Sequence, residues 1–160
     1  MIIKTRYLYR IVLSGYYGEE QWRAWADNII LKNEVSDIED WIYNVSLAGD
    51  REAFFRAIHY VILPDDDSVL LDYYNETDIV IGYYYLMYKE GRMEMKEMLD
   101  HLDDPDDPGG ESAVYWDNNL KELFEKPSLT ESDLVRLDGL FAPLAKAAEA
   151  QKKEIESYMV

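Results

Sequence analysis

Apolar residues recur along the chain at helical spacing, in blocks separated by glycine, proline and acidic residues. The clearest block is 19–32. There Trp22, Trp25, Ala26, Ile29 and Ile30 follow the i, i+3, i+4, i+7, i+8 spacing of one helix face. Glu19 and Glu20 fall in the first turn, where negative charge opposes the positive end of the helix dipole. Ser36-Asp37-Ile38-Glu39 matches a capping box. It predicts a helix with Ile38, Trp41, Ile42 and Val45 inward, closed at Gly49. Asp50 predicts the cap of the next helix, whose inner face is Phe54, Phe55, Ile58, Val61 and Ile62 and which Pro64 stops. The first block, 3–14, is ambiguous. Ile3, Tyr7 and Ile11 would share a helix face, but the β-branched and tyrosine content also suits a strand.

In the second half, Asn75 predicts the cap of a helix over 76–90. Residues 79–88 are apolar or amphipathic on every side, the pattern of a helix surrounded by others. Gly91 interrupts, and a charged helix over 92–102 follows, with Met93, Met98 and Leu102 for packing. Residues 112–125 read as one helix with Trp116, Leu120, Leu123 and Phe124 on one side. Ser128-Leu129-Thr130-Glu131 offers a second capping box, for a final helix carrying Leu134, Leu137, Leu140, Phe141, Leu144 and Ala148. Pro143 lacks an amide donor and should kink or split that helix, and the polar tail after Ala148 should fray. No repeat of fixed period is visible. The expectation is an all-α protein: one domain over 1–160, of about eight helices, arranged as a bundle or as stacked helix pairs. Its two long connectors are 63–75 and 103–111.

Composition sharpens this picture. Hydrophobic residues make up 48% of the chain, too many for a disordered acidic tail. Fourteen tyrosines and four tryptophans supply large buried area per side chain. With no cysteine, disulfides and thiolate chemistry are excluded, and a reducing cytoplasm is the expected compartment. Lys4, Arg6 and Arg10 interrupt the apolar N-terminal stretch that a signal peptide would need. No apolar run is long enough to cross a membrane. The net charge is −17, and it is uneven. Residues 63–111 hold 15 acidic and three basic side chains, while residues 1–33 are net positive. Such a surface repels nucleic acid and anionic membranes and attracts basic partners.

The sequence names no reaction. An EF-hand loop alternates oxygen donors and has glycine at its middle. Counted from Asp65, that middle falls on Val69 and Leu70; counted from Asp103, the third position is Pro105 and the last is Val114. Neither loop fits, and the acidic loops read as solvated connectors, stiffened by proline. His59 lies in an apolar helix and reads as a packed core histidine; His101 lies on a charged surface. The paired histidines of a metallohydrolase are missing, as is the arginine-to-histidine spacing of one class of helical ribonucleases. There is no nucleophile elbow, and the adjacent Gly109 and Gly110 lie in too negative a setting for a nucleotide. No cofactor and no metal site is therefore expected. Most aromatics fall on inner helix faces; Tyr16, Tyr17, Tyr73, Tyr74 and Tyr115 fall near loops, where they are candidates for exposed interface residues.

Residues 25–50, WADNIILKNEVSDIEDWIYNVSLAGD, carry a pattern of helix edges formed by Ala26, Asp27, Ile30, Leu47, Ala48 and Asp50. This resembles small acidic helical bacterial proteins of uncharacterised families, some of them similar to immunity proteins encoded beside toxins. The resemblance implies a binding protein and transfers no functional residue. Combined with the charge, it points to a non-enzymatic protein that docks a basic partner, such as a toxin domain. Asp65, Asp66, Asp67, Asp103, Asp104, Asp106, Asp107 and Glu111 would steer the encounter, and Tyr73 and Tyr74 would supply contact area. The alternatives are a helical scaffold whose acidity serves solubility, and an enzyme holding a metal on surface carboxylates.

Overall fold

The computed structural model describes residues 3–62 and 74–160. Among these every regular element is helical: α1 (Thr5–Leu13), α2 (Glu19–Lys32), α3 (Asp40–Leu47), α4 (Arg51–Ile62), α5 (Glu76–Lys89), α6 (Met95–Asp103), α7 (Ala113–Asp117), α8 (Leu120–Glu125) and α9 (Glu131–Ser157), with a 3-10 turn at Val35–Asp37. The expected all-α class is the class found. Contacts group the chain into two compact units, Met1–Tyr73 with Gln151–Val160, and Tyr74–Ala150.

In the first unit the ambiguous N-terminal block is a helix. Its buried face is Leu8, Ile11 and Val12 with Thr5, and Tyr7 is only half-buried. Gly15 takes φ +80° just past the end of α1, where its amide donates to the Val12 carbonyl at 2.9 Å. Helix α2 packs against α3, α3 against α4, and α1 against α4. The tryptophans explain that core. Trp22 and Trp25 are fully buried, so each indole N–H needs an acceptor. Trp22 Nε1 donates to the Ala48 carbonyl at 3.1 Å and Trp25 Nε1 to the Ile155 carbonyl at 3.0 Å. Trp25 also stacks on Trp41, and Trp22 lies against Phe54. The tail expected to fray is therefore held: α9 runs to Ser157, with Gln151 and Ile155 buried. Arg10, 1% exposed, donates to Gln151 Oε1 at 3.4 Å.

Two local expectations in this unit are corrected. Ser36 is not a helix cap. It lies inside the 3-10 turn, and α3 begins only at Asp40, with Ile38 tucked inward ahead of it. His59 is exposed, not packed, because α4 buries Phe54 and Ile58 and turns His59 and Tyr60 outward. The Asp50 cap is present, its Oδ1 accepting from the Ala53 amide at 2.8 Å. Pro64 lies outside the described residues.

The second unit is built around α5. Asn75 Oδ1 accepts from the Asp78 amide at 2.9 Å, and every residue from Ile79 to Tyr85 is buried. The helix ends at Gly91, φ +74°, with the Arg92 amide donating to Met87 and the Gly91 amide to Tyr88, a Schellman turn. Gly82 is needed for close packing, because a Cβ there would lie 2.3 Å from the Leu144 backbone oxygen of α9. Helix α6 packs on α5 and on α8. The segment expected to be one helix over 112–125 is two, α7 and α8, broken where Asn119 adopts φ +53°. The break turns Tyr115 inward and leaves Trp116 46% exposed. The cap of α9 is Thr130 paired with Asp133, not Ser128 with Glu131. Pro143 does not split α9, which continues as one helix across it.

Candidate functional site

Helix α6 has two faces. Met95, Met98, Leu99 and Leu102 are buried. Glu94, Glu97, Asp100 and Asp104 follow one another at i+3, i+3 and i+4, so they line the opposite, exposed side. Asp106 and Glu111 in the loop that follows are exposed as well. None of these six carboxylates makes an ion pair with a described residue. The unit Tyr74–Ala150 that carries them has 18 acidic and seven basic side chains.

The loop itself is folded, not extended. Asp107 Oδ1 accepts from the Tyr84 hydroxyl at 2.6 Å and from the Gly109 amide at 2.8 Å, and its Oδ2 lies 2.6 Å from His101 Nδ1. Tyr84 and His101 also stack, ring centroids 5.0 Å apart. Asp103 accepts from the Tyr115 hydroxyl at 2.6 Å and from Lys121 at 3.2 Å. The Tyr115 hydrogen bond, followed by Lys121, holds Asp103 below the usual carboxylate range. Burial, reinforced by Asp103, raises the Tyr115 phenol. The glycines permit this turn: a Cβ at Gly109 would meet Tyr84 at 2.8 Å, and one at Gly110 would lie 1.7 Å from the Asp104 carbonyl oxygen. Asp107 beside His101 has the geometry by which a carboxylate orients an imidazole. Here the same carboxylate is also the clasp of the loop.

The steering residues expected from sequence therefore divide. Asp104, Asp106 and Glu111 are exposed; Asp103 and Asp107 are turned into the fold; Tyr74 is half-buried, ahead of α5. Asp65, Asp66, Asp67 and Tyr73 lie outside the described residues. Of the other loop tyrosines, Tyr16, Tyr17 and Tyr115 are buried, not exposed. Sequence reasoning missed Glu94, Glu97 and Asp100. Their signal was present, as the polar side of the helix whose apolar side includes Met98 and Leu102. Among the described residues no group of three histidine, cysteine or acidic side chains is placed to hold a metal ion. No helix of the described residues is long and apolar enough to cross a membrane. No family model, curated protein or solved structure matches the chain.

Proposed function

We propose that this protein is a non-enzymatic binding protein whose acidic face docks a basic protein partner, in the manner of an immunity protein that neutralises a toxin. The observation that carries the reading is the row of six exposed carboxylates, Glu94 to Glu111, on one helix and its loop, without ion-pair partners among the described residues. Unpaired surface charge of one sign speeds encounter with an oppositely charged surface and suppresses binding to acidic ones. The likeness of residues 25–50 to small acidic bacterial proteins brings the immunity role forward; Leu47 and Ala48 end α3 and Asp50 caps α4 in that stretch.

The test is capture of a basic partner from the source cells by the full chain, at about 50 mM and about 500 mM salt. Reversing Glu97, Asp100 and Asp106 to lysine should abolish capture and leave the melting temperature near its original value. Asp103 and Asp107 are unsuitable for this reversal, since both hold the loop together. Capture that survives high salt and charge reversal defeats the proposal.

A further inference from the structure

The second unit has two adjoining clefts, of about 260 and 350 Å³. Tyr88 of α5 and Leu134 of α9 line both. The smaller also has Val135, which is 69% exposed, with Glu131 and Asp138 at its edge. The larger takes in Met95 and Leu129, with Glu94 at its edge. The cations around them are already engaged. Lys89 pairs with Asp138 at 3.3 Å, Lys96 donates to the Leu123 and Phe124 carbonyls, and Lys126 pairs with Asp133 at 2.9 Å. Glu131 and Glu94 are exposed and have no ion-pair partner among the described residues. The smaller cleft thus combines an apolar lining with a net negative edge, Glu131 and Asp138 against Lys89, whereas in the larger the charge of Glu94 is offset by Lys96. Glu94 immediately precedes α6 and belongs to the acidic row as well, so groove and row share a residue.

We propose that this groove is the anchor site for a basic segment of a partner protein. It seats one or two apolar side chains beside Tyr88, Leu134 and Val135, while flanking lysine or arginine pairs with Glu94 and Glu131. The inference rests on the acidic-docking reading and adds to it. Exposed charge sets the rate of encounter, whereas residence depends on a desolvated apolar contact.

The test is a titration of the full ¹⁵N-labelled chain at low salt with three peptides: acetyl-KRLLRK-amide, acetyl-KRSSRK-amide and acetyl-EELLEE-amide. The leucine peptide should bind at least about fivefold tighter than its serine analogue, from partial burial of one leucine. Amide shifts should centre on Tyr88, Leu134 and Val135, and the acidic peptide should not bind. Val135→Gln, at an exposed position, should remove the preference for leucine while retaining basic-peptide binding. Equal binding of the two basic peptides, with shifts confined to α6 and its loop, overturns the groove and leaves the acidic-docking reading standing. Binding of neither basic peptide overturns both, and equal binding of the acidic peptide overturns the assigned charge of the partner.

Discussion

Asp107 occupies a crowded position: one carboxylate serves the Tyr84 hydroxyl, the Gly109 amide and the His101 ring. Replacing it with asparagine keeps the size and removes one of two acceptor oxygens. The charge behind all three contacts is lost and the oxygen facing His101 becomes an amide, so Asp107→Asn should lower stability by about 1–2 kcal/mol in urea unfolding. Asp106→Asn, one residue away and exposed, should change it by less than about 0.5 kcal/mol. Equal effects would show that the loop is not clasped by Asp107. The stretch DHLDDPDDPGGE reveals its charge and its glycines directly. It does not reveal which aspartates turn inward, because their partners Tyr84 and Tyr115 arrive from α5 and α7. The division of the predicted docking residues was therefore illegible from the loop alone, whereas Glu94, Glu97 and Asp100 follow from the helical period around them.

At the scale of elements, the helices with a strong apolar face were legible, and their edges less so. Asp50 and Asn75 cap as their positions suggest. The two S-x-x-E matches failed, since four residues at that spacing fit a turn as well as a helix start, and neighbouring packing decides between them. The 112–125 segment split because the left-handed backbone at Asn119 costs an asparagine less than most residues and allows Tyr115 to reach Asp103. Helix α9 poses the converse problem, a proline inside a continuous helix. Pro143 cannot donate to the carbonyl four residues earlier, that of Gly139, and both positions are exposed. Pro143→Ala should raise stability, by up to about 3 kcal/mol, and Gly139→Ala by about 0.5–1 kcal/mol. Thermal melts followed by circular dichroism read both. A fall for Pro143→Ala would mean that packing along α9 depends on a bend the proline imposes.

For the whole molecule, charge sets both the limits of stability and the proposed role. Asp103, Asp133 and Asp138 are held below the usual carboxylate range, by Tyr115, by the Thr130 amide and by Tyr85 respectively, each assisted by a lysine. Their contribution is present above about pH 4, the unfolded value, and is lost as pH falls through the lower folded values. Asp78, raised by burial, has the opposite sign and offsets part of that loss. Tyr17, Tyr85 and Tyr115 are raised mainly by burial, so their contribution persists to about pH 10 and is lost above it. Melting temperature against pH should therefore form a plateau that falls away below about 4 and above about 10. Asp100 departs from this pattern of carboxylates that serve the fold. It is exposed near the C-terminal end of α6, where negative charge opposes the helix dipole, and it has no ion-pair partner among the described residues. Stability alone gives no reason for a carboxylate there, whereas a surface that must attract a basic partner does. Asp100→Lys should therefore raise stability by on the order of 0.5 kcal/mol while weakening capture of the partner at low salt. A variant that loses stability, or one that captures as well as the parent, would remove Asp100 from the docking face.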